Sequence, residues 1–365
     1  MGIPIHRLLG ASALLAMLPW AASAQVDDPA LMTAELMPRV ERSLLLSAVD
    51  SGEGLVVVGE RGHVLRSGDG THWRQVDGVP TRSTLTAVAA VGGSLWAVGH
   101  DGVILHSADG GLSWERQRAD PRHADSADPD QGRPLLDVLF RDELRGIAVG
   151  AYALYLETVD GGQTWTERDL GGGVAGAGDD ALEATADDDA GEGDEWLFSD
   201  EDLALEAEEN PHLNAIARTP GGRIMIAGER GAAYRSFDDG ETWERLALPY
   251  EGSMFGVLGW GEDRVLIFGL RGNVLESFDF GTTWQAVDSG VESSLMGGRA
   301  LEDGGAVLVG AEGRVVRRDS AGQPFRVQTY VNEDGETPIL ADVLPLADGA
   351  FLVIGERGIG RFPPQ

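Results

Sequence analysis

The chain has 365 residues and a formal net charge of −32, from 60 acidic residues and 28 basic residues that are all arginine. This charge excludes nucleic acid and anionic membrane surfaces as expected partners, because both attract positively charged proteins. Cysteine is absent, so no disulfide can stabilise the fold and no lipid-bearing cysteine can anchor it.

The first 24 residues predict a secretory signal peptide that is not part of the fold. A basic region at residues 6–7 precedes an apolar stretch over residues 8–20, and small residues follow at 22–24. The apolar stretch is shorter than the roughly 20 residues that a membrane-spanning helix needs. We therefore expect cleavage near Ala24, a periplasmic or secreted mature protein, and no direct membrane insertion.

Seven copies of one sequence pattern occupy the rest of the chain. Each copy has an apolar run that ends in a glycine, followed by two residues and usually a second glycine. The copies are LVVVGERG (55–62), LWAVGHDG (95–102), GIAVGAYA (146–153), IMIAGERG (224–231), VLIFGLRG (265–272), AVLVGAEG (306–313) and FLVIGERG (351–358). They recur about every 41 residues except at two larger gaps, which predicts a repeat fold with two insertions.

Five copies continue into a hairpin with Ser or Thr, Asp, Gly and Trp. Its Asp and Trp residues are Asp69 and Trp73, Asp109 and Trp114, Asp160 and Trp165, Asp238 and Trp243, and Asp279 and Trp284. The aspartate can accept hydrogen bonds from the turn amides, glycine supplies positive φ, and tryptophan can pack between neighbouring repeats. We therefore assign these ten residues a structural role instead of a catalytic one. In the sixth copy, Asp319 and Phe325 stand in their place.

Each copy contains four short segments of strand pattern separated by turns. Four-stranded units of about 40 to 45 residues predict an all-β, seven-bladed β-propeller that forms one domain over residues 25–365. The last copy has no Asp-Trp hairpin, and residues 35–41 precede the first complete copy. We expect residues 35–41 to pair as the outer strand of the last blade and so close the ring.

Both insertions fall in links between blades. Residues 119–133 are polar and contain proline, which predicts a long loop. Residues 171–210 contain many acids and no basic residue, so we expect disorder. The acidic triplets at 187–189 and 200–202 lack the ligand spacing of a calcium loop, and a solvated segment is the favoured interpretation. Folding of this insertion onto a basic surface of the propeller is a further hypothesis.

The repeated pattern resembles a known family. Leu-x-x-Val, Val-Gly-x-x-Gly and Ser-x-Asp-Gly-Gly-x-Thr-Trp resemble the Asp-box (BNR) repeats of the Ycf48/HCF136 family of photosystem II assembly factors, and more closely those of its non-photosynthetic bacterial members. The resemblance covers residues 35–362 except the acidic insertion. It implies a monomeric periplasmic accessory or assembly factor that binds a membrane or envelope protein complex through an arginine-rich face.

The residues between the paired glycines supply the candidate partner site. Arginine occurs there in four of the seven copies, at Arg61, Arg230, Arg271 and Arg357, and we expect these four to surround one end of the central channel. Arg82, Tyr250 and Glu251 lie in links between blades and should share this face. In the alternative interpretation these are ordinary polar turns, in which each arginine only neutralises an adjacent glutamate.

The alternative function is that of a sialidase-like protein or another glycan-binding or glycoside hydrolase protein with these repeats. Asp-boxes also occur in sialidases, which need an arginine triad and a tyrosine paired with glutamate, whereas other glycosidases need two carboxylates across a cleft. Tyr152, or Tyr250 with Glu251, could be proposed for the first arrangement. The arginines belong to the repeat itself, however, and no catalytic signature appears. The histidines have no metal-ligand spacing, so we expect a non-catalytic protein without metal or cofactor.

Overall fold

A computed structural model describes residues 28–121, 131–170 and 210–363. The chain forms seven antiparallel sheets arranged as the blades of a ring, which confirms the predicted seven-bladed β-propeller. Consecutive strands pair within each sheet. In the described residues, helical structure is limited to 3-10 helices of three residues, and no helix is long and apolar enough to cross a membrane.

The strands are numbered in chain order. The first three blades contain β1 (Leu45–Asp50), β2 (Leu55–Gly59), β3 (Val64–Ser67) and β4 (Arg74–Gln75); β5 (Leu85–Val91), β6 (Ser94–Gly99), β7 (Ile104–Ser107) and β8 (Glu115–Arg118); and β9 (Leu135–Phe140), β10 (Gly146–Gly150), β11 (Tyr155–Thr158) and β12 (Thr166–Glu167). The fourth and fifth contain β13 (Leu213–Arg218), β14 (Ile224–Gly228), β15 (Ala232–Ser236) and β16 (Glu244–Ala247); and β17 (Met254–Trp260), β18 (Arg264–Gly269), β19 (Val274–Ser277) and β20 (Gln285–Ala286). The last two contain β21 (Leu295–Ala300), β22 (Gly304–Gly310), β23 (Arg314–Ser320) and β24 (Arg326–Thr329); and β25 (Leu340–Pro345), β26 (Phe351–Gly355) and β27 (Gly358–Phe362).

The apolar runs form the second strand of each blade. These strands are almost wholly buried because each blade packs against a neighbour on both faces. Side chains that alternate along β6 therefore enter two different cores. Leu95 and Ala97 pack with residues of the first blade, whereas Trp96 and Val98 pack with residues of the third.

Seven hydrophobic clusters lie between neighbouring blades. Six of these clusters include the aromatic residue that precedes the outer strand of one of the two blades. From the cluster between the first and second blades to the one between the fifth and sixth, and then in the one between the seventh and first, these residues are Trp114, Trp165, Trp243, Trp284, Phe325 and Trp73. The cluster between the sixth and seventh blades contains no such residue and includes Tyr330 at its edge. The hydrophobic core is thus divided into interfaces between neighbouring blades, and a tryptophan recurs in most of these interfaces.

The innermost strands carry a β-bulge at the same place in all seven blades. The register with the second strand shifts between the first and third residues. At a bulge one residue leaves the ladder, so an amide can bond outside its own sheet. In three blades the side chain of the third residue accepts a hydrogen bond from an amide of the next blade. The pairs are Ser47 with Val88 (3.3 Å), Asp137 with Ile216 (2.9 Å) and Asp342 with Ala48 (3.0 Å).

The sixth blade departs from the Asp-box pattern, and the residue that differs adds a contact at the interface with the fifth blade. Arg318 pairs with Ala306 where the fifth blade pairs Ser277 with Val265, so arginine takes the position of the Asp-box serine. Its guanidinium reaches back to Glu276 of the fifth blade, with nitrogen to oxygen distances of 2.6 and 2.9 Å. A buried ion pair therefore joins these two blades.

The N-terminal segment does not form the predicted outer strand of the last blade. The sheet of the seventh blade has three strands, and residues 40–42 form a 3-10 helix beside β27 instead of a ladder. Upstream, the amide of Ala34 donates to the carbonyl of Val79, and the Gln75 side chain bonds the backbone at residues 35 and 37. Residues 34–37 therefore lie along the outer edge of the first blade, and contacts between β25 and β1 close the ring.

Candidate partner-binding face

The turns between second and third strands and the links between blades lie at the same end of the sheets, here called the turn face. The amide of Asp120 in one link donates to the carbonyl of Asp101 at 2.7 Å, and the amide of Gly231 donates to the carbonyl of Gly252 at 3.2 Å. The Asp-box hairpins lie at the opposite end, as an antiparallel meander requires. All seven candidate residues lie in the turns and links of the turn face.

The turns hold three of the candidate arginines in the left-handed backbone region. Arg61, Arg230 and Arg271 have φ of 55°, 52° and 57°. This region is uncommon for residues other than glycine and costs of order 1 kcal/mol or more. The glycine after Arg61 also has positive φ, and a side chain there would collide with the Thr81 carbonyl of the link. Tight packing of turn against link thus fixes the backbone and directs the arginine outward.

The three arginines are exposed and lack partners among the residues that the structure describes. The adjacent glutamates are engaged elsewhere: Glu60 accepts a hydrogen bond from the amide of Leu44 at 3.2 Å, and Glu229 lies 3.6 Å from the ring of His212. In the described residues neither glutamate pairs with the arginine beside it, and Arg271 has no adjacent glutamate; the choice between a partner site and ordinary polar turns stays a prediction. Three positive groups remain available at equivalent positions of the first, fourth and fifth blades.

The other four candidates have different surroundings. Arg357 pairs with Glu336 at 3.1 Å, and Arg82 pairs with Glu35 at 2.9 Å and so holds the N-terminal segment. The Tyr250 hydroxyl donates to the carbonyl of Leu270 at 3.4 Å instead of pairing with Glu251. Glu251 is exposed. Arg357 and Arg82 are thus already neutralised, and Tyr250 shapes the link.

The central channel contains polar groups that the repeat pattern did not single out. It is a space of about 210 Å³ whose lining includes Asp137, Asp342 and Arg299. Arg299 donates to Asp342 at 2.7 Å and to the carbonyl of Ala48 at 2.8 Å, which links the sixth, seventh and first blades. The two aspartates share the third position of the innermost strand, at the bulge, where the other copies carry Ser, Ala or Gly, and Arg299 lies two residues beyond this position in its own strand.

The two channel aspartates titrate differently from exposed carboxyls. Burial raises the pKa of Asp137 to about 6, although hydrogen bonds from the amides of Ile216 and Val138 oppose the rise. Burial also raises the pKa of Asp342, and Arg299 opposes that rise. Each carboxylate accepts a hydrogen bond from an amide of the next blade, so these groups join neighbouring blades.

The Asp-box aspartates are held by their own hairpins. Asp160 accepts the Thr158 hydroxyl at 2.8 Å and both the amide and the hydroxyl of Thr164, at 2.9 and 2.6 Å. Asp109, Asp238 and Asp279 repeat this arrangement, and Asp69 accepts a closely similar set. The hydrogen bonds from Thr164 lower the pKa of Asp160 to about 2. These geometries match the structural role assigned to the hairpins.

The acidic insertion, with its two acidic triplets, lies outside the described residues, as does most of the 119–133 loop. Within residues 28–121, 131–170 and 210–363, no group of three or more His, Asp or Glu residues could hold a metal ion.

No family model matches the chain. The curated photosystem II assembly lipoprotein Ycf48 of Prochlorococcus marinus is 60% identical over 35 residues. These residues are 10% of this chain and 10% of that protein, so the chain matches about a tenth of the curated relative's length. The resemblance that the repeats predicted is thus found in one short segment of sequence.

Solved structures show the same fold over most of the chain. A structure of Ycf48 bound to a D1 peptide has a TM-score of 0.60 and 16% identity, and the match covers 93% of this chain and 100% of that one. Ycf48 from Cyanidioschyzon merolae has a TM-score of 0.58 and 16% identity, covering 90% and 98%. A streptogramin B lyase has a TM-score of 0.64 and 11% identity, covering 91% and 97%. The similarity to Ycf48 is confirmed at the level of fold, which a lyase shares as well.

Proposed function

We propose that this protein is a non-catalytic propeller that binds a protein partner through its turn face. The observation that carries the proposal is the set of three exposed arginines, Arg61, Arg230 and Arg271, whose side chains pair with none of the residues that the structure describes. In a chain of net charge −32, such groups are the features best suited to an acidic or carboxylate-bearing surface.

The similarity to Ycf48 supports an assembly or accessory role. One Ycf48 structure contains a D1 peptide, and the curated relative is a photosystem II assembly lipoprotein. By analogy, the partner here is a segment of a membrane or envelope protein complex, met in the periplasm or outside the cell after cleavage near Ala24. The protein acts as a monomer, and it carries no cofactor or metal.

Binding is preferred to glycan hydrolysis on the geometry of the candidate residues. A tyrosine nucleophile needs a glutamate within hydrogen-bond reach, and Tyr250 contacts a backbone carbonyl instead. Tyr152 packs edge-on against His212. The channel carboxylates bond backbone amides, and one of them is also bound to Arg299. None of these groups is placed to act as a free acid and base pair.

The test compares wild-type protein with a variant in which Arg61, Arg230 and Arg271 are replaced by glycine. Glycine removes the guanidinium and relieves the left-handed strain, so the variant should unfold no more easily than wild type. Each protein is added to membranes and envelopes of the source organism, crosslinked and recovered, and the captured proteins are quantified by mass spectrometry. We expect recovery of one membrane complex to fall at least about tenfold in the variant, because interface arginines often contribute over 1 kcal/mol.

The matched control removes three exposed arginines from outer strands and their links, as Arg168→Gln, Arg245→Gln and Arg326→Gln. It changes net charge by the same amount and should recover the partner as wild type does. Equal recovery by the turn-face variant would place the interface elsewhere. Absence of any specific partner with all three proteins, together with hydrolysis of a sialoside or glycan, would favour the enzyme alternative.

A further inference from the structure

Among the described residues, the seventh blade has three strands where each of the other blades has four. Its sheet contains β25, β26 and β27, and no residue in the described ranges forms a ladder with the outer side of β27. An unpaired strand edge presents amide and carbonyl groups that can pair with another chain. The sequence predicts that residues 35–41 cover this edge, but residues 34–37 lie on the first blade and residues 40–42 form a 3-10 helix.

The register shows which groups face outward. Gly355 pairs with Gly358 around a two-residue turn, so hydrogen-bonded pairs alternate from there and the backbone groups of Ile359 and Arg361 point away from β26. The carbonyls equivalent to that of Ile359 accept bonds from outer strands in other blades. They belong to Val64, Tyr155 and Val274, and the donors are the amides of Val76 (2.8 Å), Arg168 (3.0 Å) and Val287 (2.9 Å).

A groove of about 700 Å³ runs beside this edge. Its lining includes Trp73 and the segment from Tyr330 to Glu336, and Arg42 pairs with Asp334 of that segment at 3.5 Å. Val331 exposes 53% of its surface here. In each of the other blades an aromatic residue precedes the fourth strand and packs into the core between blades, whereas the cluster of the sixth and seventh blades contains Phe351 and Phe362 from its own strands, with Leu301 and Tyr330 at its edge. The groove has the volume for a strand, and Tyr330 and Val331 offer an apolar surface to an aromatic side chain.

We propose that an extended segment of a partner protein completes the seventh blade. It adds an antiparallel fourth strand along β27, and an aromatic residue three positions before its bonded amide packs beside Tyr330. The complete blades show what such a segment needs, which is an aromatic residue three positions before the amide that bonds the third strand. Examples are Trp73 before the amide of Val76, Trp165 before that of Arg168 and Trp284 before that of Val287. Strand addition of this kind uses backbone bonds for affinity and an anchor residue for specificity. Arg357 lines the groove, but the site is separate from Arg61, Arg230 and Arg271 and does not depend on them.

The probe is a labelled synthetic peptide with the sequence of residues 158–169, TVDGGQTWTERD, which contains an anchor and a donor at the required spacing. Binding to the full mature protein is measured by fluorescence anisotropy. Arg361→Pro removes an outward amide without touching the ladder to β26, and Arg361→Ala removes the same side chain but keeps the amide. Melting temperatures of both variants report whether each is folded.

We expect saturable binding to wild type and to Arg361→Ala, and binding at least tenfold weaker to folded Arg361→Pro. A peptide with alanine in place of Trp165, and one with a methylated amide at Arg168, should lose binding to the same extent. Absence of saturable binding to wild type, or equal affinity for the alanine and proline variants, overturns the proposal. A dimer of the mature protein that dissociates on Arg361→Pro also overturns it, because a second copy then occupies the edge. Unchanged binding by the turn-face glycine variant separates this result from the proposed function.

Discussion

At the scale of single residues, Glu276 and Arg318 show how one substitution in a repeat creates a new contact. Both are almost fully buried, at 3% and 1% exposure, and Arg264 bonds the same carboxylate at 2.8 Å. Burial alone would raise the pKa of Glu276, but hydrogen bonds from Arg318 and Arg264 outweigh it and lower the pKa. The carboxylate is therefore ionised in the fold and balances two arginines.

We predict that Glu276→Gln lowers the free energy of unfolding by about 3 to 5 kcal/mol, because it leaves buried guanidinium charge without a counterion. Urea denaturation followed by tryptophan fluorescence measures the loss. The control is Glu312→Gln, which breaks an exposed pair with Arg314 and should cost less than about 1 kcal/mol. Similar losses in the two variants would contradict the importance of burial.

At the scale of the element, the Asp-box is a hairpin that satisfies its own turn. The aspartate accepts an amide and a hydroxyl from the residue before tryptophan, so the ionised carboxylate is the form that fits. Hydrogen bonds from Thr164 hold the pKa of Asp160 at about 2, below its ordinary value of 3.8. Because the folded pKa is lowered, the contribution to stability is complete above pH 3.8 and is lost as pH falls through 2.

We predict that the urea midpoint of wild type falls steeply between pH 4 and pH 2, and that Asp160→Asn reduces both the midpoint at pH 7 and this steepness. Thr164→Val removes one donor and should produce a smaller change in the same direction. Chemical denaturation at a series of pH values provides the measurement. A pH profile identical in wild type and Asp160→Asn would show that the hairpin does not depend on its carboxylate.

At the scale of the whole molecule, ring closure depends on the channel side of the seventh blade. The described ends of the chain do not share a blade here. Instead, β25 contacts β1 through the hydrogen bond between the Asp342 carboxylate and the Ala48 amide, and Arg299 bonds both Asp342 and the Ala48 carbonyl. Asp342 and Ala48 are separated by 294 residues of sequence. The two ends of the repeat array are thus joined by this carboxylate and guanidinium together with the hydrophobic cluster between the seventh and first blades.

We predict that Asp342→Ala destabilises the protein by about 3 to 5 kcal/mol, because Arg299 loses its partner and a buried amide loses its acceptor. Asp137→Ala removes a carboxylate from the same channel that has no bonded arginine, and should cost about 1 to 3 kcal/mol. Denaturant unfolding of both variants gives the comparison. Combining Asp342→Leu with Arg299→Met should recover most of the loss, and a loss equal to the sum of the single changes would refute the coupling.

The repeat pattern was sufficient for much of this structure. Seven glycine-ended apolar runs and five Asp-Trp hairpins determined the number of blades, the buried second strands and the placement of Arg61, Arg230 and Arg271 in exposed turns. These features depend on residues close together in the chain, since hydrogen bonds within a hairpin span only a few positions. Their local chemistry can therefore be predicted from sequence.

Tertiary structure decided how the blades meet. Packing between blades places residues 34–37 along the first blade, and among the described residues no strand pairs with the outer edge of β27. The same packing brings Arg299 to Asp342 and Arg318 to Glu276. None of these contacts recurs along the sequence with the period of the repeat, because each joins two different blades and depends on the angle between the blades where the ring closes. The number of blades was thus determined by local repetition, and the joints, the channel charges and the open edge by packing between distant segments.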